Sequence, residues 1–197
     1  MILPIFIIVV LIFSAIVHEY MHGWMANELG DPTAKNSGRL TLNPLAHLDW
    51  WGSVLMPILL YYTTGFIFGY AKPVPINPYN LRGKYDMVKV ALAGPLSNFV
   101  LAIFFGLLIR FVPIANATLV QFLGVIVEVN LLLFVFNIIP LPQFDGSRVI
   151  FPFLPRSLQE FYLRAEAIGM IIALLFVLIA FPVIAIIVQF LFNLIVG

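Results

Sequence analysis

Apolar residues in this chain run in long blocks, and most of the charged residues fall in short intervals between them. Uncharged stretches extend from Ile2 to Val17, Trp51 to Ala71, Val90 to Ile109, Phe111 to Val127 and Ala167 to Gly197. Each is long enough to cross a hydrocarbon core of roughly 30 Å as a helix. The first helix is expected from Leu3 to Leu29, stopped by Gly30-Asp31-Pro32, a glycine that accepts a left-handed turn followed by proline. No basic segment precedes its apolar run and no small-residue cleavage pattern follows, so it reads as a retained helix, not a signal peptide.

The interval from Thr33 to Asp49 contains the alternating run Arg39-Leu40-Thr41-Leu42, and the interval from Lys72 to Tyr85 contains Pro73, Pro75 and Pro78. Both predict loops with a strand or edge segment. A second apolar stretch, Trp51 to Gly69, is broken by Gly52, Pro57, Gly65 and Gly69. A third helix is expected from Asp86 to Phe111 and a fourth from Thr118 to Ile139, closed by Pro140 and Pro142. After a polar interval from Gln143 to Glu166, the last 31 residues are uncharged and interrupted by Pro182, which admits one kinked helix or a helix plus a re-entrant half. The expected architecture is an all-α polytopic membrane protein of one domain, residues 1–197. Its bundle has about four to six transmembrane or re-entrant helices, with short β-like segments between the first and third.

Composition strengthens the membrane reading: 62% of residues are hydrophobic and 10% charged, far from an ordinary soluble domain. A net charge of +1 gives no basic field for nucleic acid, so the expected partners are the lipid bilayer and another membrane molecule. With no cysteine there is no thiolate metal site, and any transition metal must be held by His, Asp or Glu.

His18-Glu19-Tyr20-Met21-His22 is an HExxH sequence at the end of the first apolar run. Histidines four residues apart lie on one helix face, the spacing that lets both imidazoles reach one ion. Zinc suits neutral imidazole, and catalytic zinc takes three protein ligands and leaves a position for water. Glu19, beside the first histidine, could accept a proton from a zinc-activated water and pass it to a departing amine. Ionisable residues in a membrane segment are costly and default to a functional reading.

Candidates for the third ligand are His47, Asp49, Glu128 and Asp145. Glu128 and position 145 lie about 25 Å apart along a straight helix, so both cannot serve one ion. The segment Asn137-Ile138-Ile139-Pro140-Leu141-Pro142-Gln143-Phe144-Asp145-Gly146 favours Asp145. Its prolines free backbone groups, and Gly146 would allow a sharp turn that presents an exposed carboxylate. Glu128 could pair with a polar group or line a water path, His47 reads as a solvated loop histidine, and Trp50 and Trp51 read as interface anchors.

With these motifs together the sequence resembles the site-2 protease family of intramembrane zinc metalloproteases. HExxH is joined by N-x-x-P-x-x-x-x-D-G at Asn137, Pro140, Asp145 and Gly146, and Gly94-Pro95-Leu96-Ser97-Asn98 is similar to the family's G-P-x-x-N feature. Asn43-Pro44-Leu45-Ala46-His47-Leu48-Asp49 further resembles a compact bacterial and archaeal subgroup without PDZ or CBS domains. The resemblance implies one zinc ion held by His18, His22 and Asp145, Glu19 as the catalytic group and Asn137 as a substrate contact. It also implies a transmembrane protein as substrate and residence in the cell membrane of a prokaryote. Under this reading the Arg39 to Leu42 and Val74 to Ile76 segments could offer a strand edge to an unwound substrate. Two other readings stay open: a membrane zinc protease of another class acting on soluble or lipidated peptides, and a catalytically silent metal-containing adaptor.

Topology follows from parity. If Asp145 joins the histidines, the first and fourth helices run parallel and an odd number of crossings separates them. The broken Trp51 to Gly69 stretch is then expected to be a re-entrant hairpin. Lys35, Arg39, Lys72, Arg82, Lys84, Lys89, Arg148, Arg156 and Arg164 would share one side and Arg110 the other, a nine-to-one split that favours a site opening to the cytoplasm.

Overall fold

The computed structural model describes residues 2–47, 55, 59, 62, 72–165 and 168–197. Among the described residues, four helices are long and apolar enough to cross a membrane: α1 (Ile2–Glu28), α4 (Asp86–Phe111), α5 (Ala117–Ile138) and α8 (Gly169–Val196). Between them lie the short helices α2 (Thr33–Asn36) and α3 (Pro44–His47), then α6 (Asp145–Ile150) and α7 (Arg156–Ala165). The spans coincide closely with the apolar blocks because a helix keeps all its backbone hydrogen bonds inside one segment, as lipid requires.

Each terminus has a local cause. At the end of α1, Gly30 adopts φ 109°, Asp31 N–H donates to Ala26 at 2.8 Å and Gly30 N–H to Asn27 at 3.2 Å. This pair of bonds is a Schellman stop, which satisfies carbonyls the helix would leave bare. At the start of α5 the Asn116 side chain accepts from Leu119 N–H at 3.1 Å, an N-cap. Pro182 is absorbed inside α8, which settles the C-terminal stretch as one helix among the described residues.

α4 and α5 pack side by side, with α1 against both on one flank and α8 against both on the other. Ala102, Val127, Leu131, Val135, Ile184 and Val188 form the buried seam of α4, α5 and α8. The large apolar side chains on the outer faces of α1 and α8, such as Ile5, Phe13, Ile179 and Phe190, are exposed, as expected where lipid replaces a second protein layer.

The β-like segments are a correction. No strand occurs among the described residues: 39–42 is irregular chain that bends at 40–41, and 72–77 is irregular chain. Pro73 and Pro75 have no N–H to give a ladder, and the N–H between them, on Val74, is taken by the Glu19 carboxylate at 2.8 Å. The two segments are joined instead through Arg39, whose Nη2 donates to the Lys72 carbonyl at 2.7 Å.

The Trp51 to Gly69 stretch expected as a re-entrant hairpin lies, apart from residues 55, 59 and 62, outside the described residues, as do Asp49 and Trp50. Its flanks are informative: Lys72 N–H donates to the His47 carbonyl at 3.0 Å, which holds both flanks at one face of the bundle.

Candidate metal centre

His18 and His22 stand one turn apart on the inner face of α1, both buried. Asp145 comes 123 residues after His22 and opens α6. The chain turns there through Gln143, which has φ 81°. Gly146 serves close approach, not the sharp turn expected of it. A Cβ at 146 would lie 2.2 Å from the Ile138 carbonyl oxygen, so glycine lets the start of α6 fold back onto the end of α5. The carboxylate it presents is buried, not exposed as anticipated.

His18 Nε2, His22 Nε2 and Asp145 Oδ2 form a near-equilateral triangle: 3.0 Å between the two nitrogens, 3.0 Å from His18 to the carboxylate and 3.1 Å from His22. The other ring nitrogens decide what these atoms are. His22 Nδ1 lies 2.7 Å from the Val90 carbonyl, which only accepts, so Nδ1 carries the hydrogen. His18 Nδ1 lies 2.7 Å from Asn98 Oδ1 and donates likewise. Neutral imidazoles so held point two Nε2 lone pairs and a carboxylate oxygen at one spot. A cation is the natural occupant, because nothing in the neutral set can offset that repulsion.

The donor set, two imidazoles and one carboxylate, fits zinc, and the triangle's edges approach the separation of about 3.3 Å that bonds of about 2.0–2.1 Å give in a tetrahedral site. Space has been kept for it as well. A Cβ at Gly94 would lie 2.3 Å from His22 Nε2 and 2.7 Å from His18 Nε2, so the bare glycine of α4 forms one wall of the pocket. Three ligating groups of this kind meet here among the described residues.

The other sequence candidates stand elsewhere. His47 is buried in α3, where Nε2 donates to the Thr41 carbonyl at 2.7 Å, so it packs a loop and is not solvated. Glu128 is exposed halfway along α5. Asn137 is half-buried in the last turn of α5, and its Nδ2 donates to the Leu133 carbonyl at 2.9 Å. Glu19 sits at the pocket's edge, tied to Val74 N–H. Sequence reasoning missed the backbone of Val90 and the side chains of Ser14 and Asn130. A signal existed for Ser14, which precedes His18 by four residues on the same face.

Comparison with known proteins gives the chain's family. Residues 108–180 match the model for peptidase family M50. YwhC of Bacillus subtilis, whose name marks it as a candidate zinc metalloprotease, is 36% identical over 178 residues, covering 86% of this chain and 78% of that relative. Rip2 of Mycolicibacterium smegmatis, named in the same way, is 30% identical over 165 residues, covering 82% of this chain and 62% of its own. MJ0611 of Methanocaldococcus jannaschii, again so named, is 44% identical over 64 residues, 32% of each chain. No solved structure matches. With YwhC covered over most of its length, and with a histidine-carboxylate pocket between apolar helices, the chain belongs to peptidase family M50, the site-2 protease family of metalloproteases.

Proposed function

We propose that this membrane protein is an intramembrane zinc protease that hydrolyses a peptide bond in or near a transmembrane segment of a membrane-protein substrate. The observation that carries the reading is the meeting of three lone-pair atoms within 3.1 Å between the inner face of the spanning helix α1 and the start of α6. His18, His22 and Asp145 would hold one zinc ion. Bound there, zinc supplies Lewis-acid chemistry, acidifying a water and polarising the scissile carbonyl.

Glu19 is the general base. Val74 N–H holds one of its oxygens at 2.8 Å, which fixes the rotamer and leaves the carboxylate able to take the attacking water's proton and return it to the departing amine. A substrate helix must unwind locally to expose its carbonyls, and Asn137, at the end of α5 near the turn to Asp145, is the side chain assigned to its freed backbone. We place the opening of the site towards the cytoplasm. Arg110 lies beside the Leu194 carbonyl at the far end of α8, away from the other nine basic residues, in keeping with the charge bias.

Reconstitution with zinc and transmembrane peptides, with cuts located by mass spectrometry, tests the reading. Glu19→Gln should keep its zinc and lose cleavage by about 10²–10⁴-fold. Cleavage at the wild-type rate would overturn the assignment, and cleavage confined to soluble or lipidated peptides would favour the other protease class. Single cysteines at positions 40 and 80, in a chain with none of its own, should label from one side.

A further inference from the structure

We propose that Ser14 and Asn130 are positioning residues for the metal centre: acting through Asn98, they fix the tautomer of His18 and so aim its Nε2 lone pair into the pocket. The inference rests on the metalloprotease reading of that pocket.

An asparagine can face a histidine with either its oxygen or its amide nitrogen, and the two choices have opposite consequences. Facing Nδ1 with the oxygen makes Nδ1 the donor and leaves Nε2 a lone pair. Facing it with the amide makes Nδ1 the acceptor and puts a hydrogen on Nε2, pointing at the place a cation needs. Asn98 must therefore be held one way round.

The polarity is set by two groups that cannot reverse. Asn98 Nδ2 donates to the Ser14 carbonyl at 3.2 Å and to Asn130 Oδ1 at 3.0 Å. Asn130 is oriented in turn, because its Nδ2 donates to the Ile126 carbonyl at 2.8 Å and to Ser14 Oγ at 3.0 Å. Both carbonyls only accept, so each amide has one satisfactory orientation, and that orientation leaves Asn98 Oδ1 for His18 Nδ1 at 2.7 Å. Asn98 is 0% exposed and Asn130 1%, with Ser14 and His18 also buried, so the network is shielded from bulk water.

The chain of bonds joins α1, α4 and α5 inside the apolar bundle, where leucines would pack and polar groups cost free energy unless every bond is made. His22 needs no such apparatus, since the Val90 carbonyl sets its tautomer directly. The two histidines thus differ: one is governed by a backbone carbonyl directly, the other through side chains, set partly by the Ser14 carbonyl and partly by groups that substitution can remove.

The experiment uses the full-length protein in detergent micelles with ¹⁵N-labelled histidine, and three histidines in the chain keep the spectrum simple. In the metal-free wild type, at a pH where imidazole is neutral, His18 should show the Nδ1–H tautomer. Asn130→Leu should mix the tautomers of His18 and leave His22 unchanged as the internal control. Zinc affinity, measured by chelator competition, should fall about tenfold or more in Asn130→Leu. Ser14→Ala should fall less, and Asn130→Asp, which keeps the acceptor facing Asn98, should stay within about threefold of wild type. If wild type binds zinc while Asn130→Leu and Ser14→Ala both keep the His18 tautomer and the affinity, the proposal is overturned. If wild type binds no zinc, the metalloprotease reading fails instead, and the tautomer measurement still decides the positioning role. A drop in thermal stability for Asn130→Leu with tautomer and affinity intact would reduce Asn130 to packing and overturn the proposal as well.

Discussion

The corner where α1, α4 and α6 meet around the triad and the seam of α4, α5 and α8 are held by different forces. At the corner nearly every side chain that matters is directed by a hydrogen bond: Glu19 by Val74, His22 by Val90, His18 by Asn98. Asp31 adds a tie beyond the end of α1, accepting from Asn77 N–H at 2.6 Å and Asn80 Nδ2 at 2.8 Å. The seam has aliphatic and aromatic packing, with Phe99 stacked on Phe134 at 4.6 Å. In lipid, apolar contact gains little over contact with acyl chains and has no direction. It can keep helices together, but it does not aim a lone pair. The difference shows where positional accuracy is needed.

Substitutions at each region should separate the two roles. Asp145→Ala removes one of three donors and should weaken zinc binding on the order of a thousandfold, judged against the apparent 10–16 kcal/mol of a structural zinc site. Its helix content by circular dichroism should not change. Leu131→Ala, fully buried in the seam, should cost about 2–5 kcal/mol of stability and leave zinc affinity per folded molecule as it was. An equal loss of affinity there would erase the distinction. Gly94→Ala brings a methyl to 2.3 Å from His22 Nε2, so it should lower zinc affinity by about 10–100-fold and cost about 1–3 kcal/mol of stability through overpacking.

Acid should act on the corner before the seam. Burial would raise the Asp31 carboxyl, but hydrogen bonds from Thr33, Asn80 and Asn77 outweigh it and hold the group below its usual range. A depressed carboxyl contributes stability that is present above its unfolded value, about 3.9, and is lost as pH falls through the folded one. Melting curves of the metal-free protein between neutral pH and pH 3 should show that loss, and Asp31→Asn should flatten it. The smallest effect is expected at Arg110→Ala, where an exposed guanidinium meets the Leu194 carbonyl at 3.0 Å and about 1 kcal/mol or less is at stake by denaturant titration.

Much of the seam's architecture could be read from the chain, because uncharged runs of span length announce helices and prolines mark their ends. The corner was legible in its triad and not in its supports. HExxH spacing pointed to His18 and His22, and the prolines before Asp145 together with the family resemblance favoured that carboxylate among four candidates; their convergence implied the parallel α1 and α5 that the Phe6–Phe122 and Ser14–Asn130 contacts bear out. Alternation at Arg39 to Leu42 misled, since a strand needs a partner with free N–H groups and Pro73 and Pro75 have none. Ser14 carried only its place one turn before His18, Asn130 carried no spacing rule, and Gly146 hid its purpose because close approach between distant segments leaves no local trace.

The long separation within the triad has a bearing on how the protein is made. Asp145 follows His22 by 123 residues, so at about 5–20 residues per second the ribosome adds the carboxylate roughly 6–25 seconds after the two histidines have been synthesised. During that interval α1 can enter the membrane with both histidines and without the carboxylate. The cluster is thereby incomplete while α1 is inserted beside other membrane proteins.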